Sequence, residues 1–498
     1  MNLSASGLAR TTLVTLAGAG LVVGAVHTQG ALALGRDGSA DQATRGASAA
    51  VRSVSLVCPG PELKGVPGMA DAAVPVRVAA AAAPLRALTG TQPSSTPGGL
   101  GLTTMVDGAL GGPVDGRGKT VVADQAAAAG VLVSAGESMA PGLAAAQSWL
   151  VPSGDLRSLG GAPCGQPGAE FWILAGGGDP GRQERLVLTN PGGNPVTVDA
   201  TLHGPDGPVS SPNGKGIVVP AHGRTSVLLD SISGDLASPA VHVVADGGVV
   251  AAVVNDSWLD GARPAGSDDA VPAAPPSRDQ VIPAVMVYGG TGLLRIAVPG
   301  SSEAVVQARM LTADGPRALP GGGVFRMDGG TVRDIDLSKL AGSNVGIQVR
   351  ADVPVVAAAM VTRAQAGKPG DLAWTTSTPA ITGVAGMPIA DPAVQATRPI
   401  RRYLHLTSSG DSAGVEVVTV DSKGVETSLR PQLGVDASQT IEITGASSVW
   451  VHRVSGSGAV RAGLVTAVDD DQGILITAAP LRDTTLRTTS VALREVTP

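Results

Sequence analysis

The feature that most constrains this chain is a long internal repeat. Three segments align without gaps: RLVLTNPGGNPVTVDATLHGPDG from Arg185 to Gly207, LLRIAVPGSSEAVVQARMLTADG from Leu293 to Gly315, and RYLHLTSSGDSAGVEVVTVDSKG from Arg402 to Gly424. Each reads as a strand, a turn, a second alternating strand and a closing Gly, at a period of about 110 residues. A second block repeats in step. It reads VHVVADGGVVAAVV from Val241 to Val254, IQVRADVPVVAAAM from Ile347 to Met360, and VHRVSGSGAVRAGL from Val451 to Leu464. Two β-branched runs about a turn are a hairpin signature. Ser257-Trp258 recurs as Ser148-Trp149, and SVSLVCP from Ser53 resembles EFWILA from Glu170, so a divergent first copy lies upstream. The chain therefore divides into four modules, 52–163, 164–275, 276–385 and 386–498.

The second module carries about seven strands, and runs such as Val196 to Leu202 alternate apolar with small or polar residues. That period buries one face of a strand and wets the other. Seven short strands in roughly 110 residues predict an all-β fold of tandem immunoglobulin-like β-sandwich modules. A β-propeller is the alternative, although its blades typically repeat at about 40–50 residues. The Gly/Pro/Asp-rich stretches 261–277 and 364–398 read as connections between modules. Gly (69) and Pro (37) are too frequent for a helical bundle. With 43% hydrophobic residues the chain is not disordered as a whole, and a net charge of −6 offers no footprint for nucleic acid.

The N-terminus points to export. Arg10 precedes an apolar run from Thr11 to Val26, and Ala31-Leu32-Ala33 supplies a small-x-small site with cleavage after Ala33. Segment 1–34 reads as a signal peptide or, equally, as an uncleaved membrane anchor, followed by a tether over 35–51. Either reading places the rest outside the cytoplasmic membrane, as a secreted or membrane-anchored protein. In an oxidising compartment the two cysteines, Cys58 and Cys164, predict one disulfide, with two free thiols as the alternative. The closed loop of about 106 residues would contribute around 4–5 kcal/mol on the chain-entropy model.

The succession WILAG, LVLTNPGGNPVTVDATLHGPDG, VVPAHGRTSVLL and VHVVADGGVVAAVV in the second module resembles tandem sandwich repeats of exported bacterial surface proteins. The whole chain resembles an actinobacterial family of exported or membrane-anchored proteins, domain of unknown function 5719. The third module departs from it, with Val298-Pro299-Gly300 in place of Asn190-Pro191-Gly192, and the fourth has Thr407-Ser408-Ser409. The resemblance implies no catalytic residues.

Motifs for chemistry are few. Gly112 to Thr120, GPVDGRGKT, misses the phosphate-loop pattern by one position and reads as a turn before a strand from Thr120. His27, His203, His222, His242, His405 and His452 show no metal-ligand spacing. His203 and His222 read as surface residues; His242, Gln348 and His452 share one repeat position, read as a wet strand face. Asp469-Asp470-Asp471 lacks the alternation of a calcium loop and reads as solvated, as does the cluster Arg398, Arg401 and Arg402. Trp149, Trp258, Trp374 and Trp450 read as packing at module ends rather than as sugar platforms. One Gly-x-Ser-x-Gly match, Gly410-Asp411-Ser412-Ala413-Gly414, falls in the turn between the two strands of the third aligned segment, not between a strand and a helix as a nucleophile elbow does. The expectation is a non-enzymatic envelope protein without cofactor or metal, presenting its modules to an envelope protein. Binding of wall glycan is the second reading and an exported hydrolase the third.

Overall fold

Alternation along each strand decides which face it buries. In Val196–Gly204, Val196, Val198, Ala200 and Leu202 are buried, while Thr197 is exposed and Asp199 and Thr201 partly so. Residues 48–65, 70–106, 108–114, 116–126 and 129–489 are described by this computed structural model. The apolar N-terminal run, Ala33 and most of the tether lie outside them. Within the described residues no helix is long and apolar enough to cross a membrane.

The chain is all-β, and one strand order recurs four times. The first module has an outer sheet ordered Ser53–Cys58, Val131–Gly136, Leu100–Thr104, Gly108–Ala109, and an inner sheet ordered Thr120–Ala126, Pro75–Ala82, Leu143–Val151, Ser158–Pro163. Side chains from both sheets share one core, including Leu56, Val78, Leu102, Val133 and Leu143. The second module repeats this with Glu170–Leu174, Ala240–Asp246, Val196–Gly204, Gly207–Val209 outside and Gly223–Leu228, Arg182–Asn190, Ala251–Asp260, Arg263–Ala270 inside. In the third, a single strand, Ser343–Arg363, passes from one sheet into the other.

The last strand of each inner sheet is an edge strand, and the four edges meet. Ser158–Pro163 lies beside Arg263–Ala270, which lies beside Asp371–Thr376, then Gly473–Asp483, then Ser158–Pro163 again. The modules thus close into a ring with these four axial strands at its centre. This joins the two expected architectures: the modules have two sheets each, and four of them are arranged like propeller blades. The repeat is longer than an ordinary blade because each contributes an outer sheet as well as an inner one. Closure is sealed where Val51 N donates to Leu486 O (3.0 Å) and Gly142 N to Thr485 O (3.0 Å). An apolar cluster with Ala83, Leu88, Val418, Trp450 and Leu486 fills that seam. Separately, Ser48–Ala50 pairs with Arg487–Thr489 in a two-stranded sheet.

Two sequence readings change here. The supposed connections 261–277 and 364–398 contain the axial strands Arg263–Ala270 and Asp371–Thr376, the second of which is buried at every residue. Their Gly, Pro and Asp residues mimic linker composition, yet the Gly residues allow close approach. A Cβ on Gly266 would stand 2.2 Å from Asp371 Oδ1. The count of seven strands also missed Gly207–Val209 in the second module. The expected disulfide is present: Cys58 and Cys164 are bonded across 106 residues of sequence, tying the outer sheet to the end of the first axial strand.

Candidate binding site at the ring axis

An edge strand pairs on one side only, so its other backbone groups need partners elsewhere. At the axis carboxylates supply them. Asp371, fully buried in the third module, accepts from Leu159 N (3.0 Å) of the first module and Ile476 N (2.9 Å) of the fourth on one oxygen. Its other oxygen accepts from Leu372 N (3.0 Å). Burial pushes its carboxyl well above the usual range, against the pull of these three donors. Asp268 of the second module accepts from Trp374 N (2.9 Å) of the third, and its Oδ1 is 3.0 Å from the Thr477 hydroxyl of the fourth. That hydroxyl is also 3.2 Å from Gly161 O of the first module. The Thr477 hydroxyl thus links the first and second modules, and burial pushes the Asp268 carboxyl well above its usual range. Asp269 accepts from Asn255 Nδ2 (3.0 Å) and Gln147 Nε2 (3.2 Å), and burial pushes it up to about 6.

The seams carry forked ion pairs. Arg182 grips Asp256 (Nε–Oδ1 2.9 Å, Nη2–Oδ2 2.6 Å), and Trp374 Nε1 of the next module donates to the same Asp256 (2.6 Å). Arg295 grips Asp334 through two 2.8 Å bonds and donates to Ala175 O and Pro239 O of the second module (3.0 Å each). Glu184 beside them is pushed up to about 8, by burial and then by the Asp256 charge.

The expected chemistry residues are placed as follows. Trp149, Trp374 and Trp450 are buried and Trp258 partly so, which makes them packing groups; a sugar platform of these rings is ruled out for the first three. His203, His452 and Gln348 are buried, correcting the reading of exposed positions. The shared site of Gln348 and His452 lies on the strand face opposite core residues such as Ile347, Val349 and Val451, and polar neighbours cover it: Gln348 bonds Arg309 and Asp279, and His452 stands 3.5 Å from Glu416. His203 Nδ1 meets Gly330 O (2.9 Å), and His222 is exposed with φ +48. The acidic run is not free: Asp469 pairs with Arg363, Asp470 with Arg157, and Asp471 with Arg398 of the basic cluster, whose Arg402 pairs instead with Asp391. In the phosphate-loop lookalike, Arg117 donates to Ala83 O, Ser138 O and Pro141 O, holding a turn before Thr120–Ala126.

The open site lies where the axial strands end. A proline lies at or near the end of each axial strand: Pro163 closes the first, Pro272 and Pro379 follow the second and third, and Pro480 lies close to the end of the fourth. Proline suits the end of an edge strand because it leaves no N–H unpaired. Between the second, third and fourth modules Pro272, Pro379 and Pro480, with Phe171, Trp172, Pro275 and Pro276, line a cavity of about 470 Å³. A second cavity of about 160 Å³ opens between the first and fourth modules. Arg482 lines both, and a third, smaller one.

Arg482 is half-buried, and its Nη2 donates to Pro272 O (2.8 Å) across the ring. It makes no ion pair among the described residues, and burial pushes its guanidinium down to about 10. Ser377 and Thr378, also lining the large cavity, have hydroxyls with no partner among the described residues. Sequence reading missed Arg482, Asp268 and Asp371. Their signal was charge inside apolar axial stretches, as in SDDAV, DLAW and APLRD, the first two of which composition alone assigned to linkers.

The model of a family of unknown function, DUF5719, matches residues 118–446. This chain belongs to the DUF5719 family. The match spans all four modules of the ring, from the inner sheet of the first to the outer sheet of the fourth. No curated protein matches this DUF5719 chain. Among solved structures it is similar to the crystal structure of Thermotoga maritima 1070, with 19% identity over 21% of this chain and 95% of that one, at a TM-score of 0.18. It is also similar to an anti-sigma factor domain-containing protein from Clostridium clariflavum, with 8% identity over 70% of this chain and 85% of that one, at 0.11. A tetra-tandem repeat from the extending region of a large adhesion protein gives 13% identity over 79% and 94%, at 0.09. None is close enough in shape to bear on the fold or role of the DUF5719 ring.

Proposed function

We propose that this protein is an exported, non-enzymatic component of the cell envelope whose four-module ring serves as an interaction platform. It would be secreted, or held at the cytoplasmic membrane through its N-terminal segment, and its partner is another envelope protein. Export is supported by the basic start, the apolar run and the Ala31-Leu32-Ala33 site, together with the Cys58–Cys164 disulfide.

The observation that carries the binding role is the proline- and aromatic-walled cavity at the end of the axis, with a single unpaired cation. Apolar walls with a few placed polar groups are the usual form of a recognition site. The cavity's hydroxyls bond to no base among the described residues, and the axial carboxylates are engaged as acceptors between modules. Both features favour binding over catalysis. The test is capture from detergent-solubilised envelope with the full chain as bait, and enrichment of a specific envelope protein is expected. If nothing is enriched while an activity-based serine probe labels the chain, the reading is wrong.

A further inference from the structure

A guanidinium removed from water without a counter-charge is costly, and native proteins keep one mainly where something else completes it. Arg482 approaches this case: half-buried, it lies at the junction of three cavities with one backbone acceptor, Pro272 O, and no acidic partner among the described residues. Other enclosed arginines of the ring differ. Arg182 and Arg295 have forked carboxylates, and Arg117 has three carbonyls.

We infer that the axial cavity binds the carboxylate of a ligand with an apolar body, received by Arg482. The planar fork of a guanidinium matches the two oxygens of a carboxylate. The hydroxyls of Ser377 and Thr378 supply further donors once they rotate toward a ligand. Trp172, Phe171 and the prolines give the apolar body its contact surface. A volume of about 470 Å³ accommodates a few residues of peptide or a small ring-bearing acid.

Charge limits the ligand to a single negative one. Glu170 and Asp483 also line the cavity, so a dianion such as phosphate would meet repulsion. Neither acid neutralises Arg482. Glu170 pairs with His242, and Asp483 accepts from Thr382 N, the Thr382 hydroxyl and Gly383 N.

This inference rests on the binding reading of the same cavity and adds the chemistry of the ligand. The test is fluorescence anisotropy on the full chain with two probes, dansyl-Ala-Pro-Phe as free acid and as C-terminal amide, with N-acetylproline and inorganic phosphate as competitors. The acid is expected to bind at least about tenfold tighter than the amide, as for loss of a charge-assisted pair. Arg482→Gln should abolish that ratio, and Arg482→Lys should restore part of it. Competition by N-acetylproline would assign the site to small acids, and its failure beside tight peptide binding to peptide C-termini; both support the inference.

Equal binding of acid and amide, an unchanged ratio in folded Arg482→Gln, or displacement by phosphate as potent as by N-acetylproline would overturn it. Should Arg482→Gln fail to fold, Thr378→Val serves in its place: it is expected to weaken the acid several-fold and the amide less, and equal weakening would count against the inference. An envelope partner still captured when no acid binds would sink this inference alone and leave the platform reading standing.

Discussion

Asp371 is the best place to test whether carboxylates hold the ring together. Replacing it by Ala removes the acceptor of Leu159 N in the first module, Ile476 N in the fourth and Leu372 N in its own. Leu159 and Ile476 are themselves buried, so water is a poor substitute. A buried donor left unsatisfied costs about 1–3 kcal/mol, which puts the two inter-module bonds together at roughly 2–6 kcal/mol. Asp371→Asn is the sharper comparison. Both inter-module donors use the same oxygen, so an amide oxygen in that place keeps them and only the Leu372 N bond is lost. Asn should therefore cost about 1–3 kcal/mol and Ala clearly more. Urea unfolding at neutral pH gives the two differences, and hydrogen exchange reads the amides of Leu159 and Ile476. Exchange at both should speed up in the Ala variant and stay near wild type in the Asn variant. An Ala variant within about 1 kcal/mol of wild type, with both amides still protected, would refute the role given to this side chain.

Three further outcomes are expected. Burial pushes the His405 imidazole down to about 4, so the folded protein holds it neutral while the unfolded chain takes up a proton near the ordinary value. Stability from this residue is complete above about pH 6.5 and is lost as pH falls toward 4, by about 3 kcal/mol, and His405→Gln should flatten that part of the pH profile in thermal melts. Replacing both cysteines by Ser should lower stability by around 4–5 kcal/mol on the chain-entropy model, read as a lower urea midpoint. Gly160→Ala would place a Cβ about 2.0 Å from the Trp149 ring; it should cost on the order of 1–3 kcal/mol and shift Trp fluorescence.

The strands were legible because alternation is local: VTVDATL declares its buried face without reference to anything else. The four-fold repeat was legible as self-similarity. Ring closure was not, because it depends on pairings such as Val51 with Leu486, at opposite ends of the chain. The axial strands were misread for a related reason. A strand with a wet face advertises itself by alternation, but one enclosed by three other modules uses small residues and carboxylates, the composition of a loop. Arg482 was hidden because its meaning lies in the neighbouring acids being engaged elsewhere, Glu170 with His242 and Asp483 with Thr382 and Gly383, which only three dimensions reveal.

The bond from Val51 to Leu486 also has a consequence for how the molecule is made. A chain made N-terminus first completes its first module long before the fourth exists. Until the last axial strand arrives, Ser158–Pro163 and Asp371–Thr376 each keep an open flank, with Leu159 N waiting beside the carboxylate of Asp371 for Ile476. Contacts of such sequence separation form slowly, and open strand flanks are where chains stick to one another. The final stretch of about a hundred residues therefore acts as a keystone. A product that ends early is not a smaller ring but an arc with adhesive ends, ready for a protease or a chaperone.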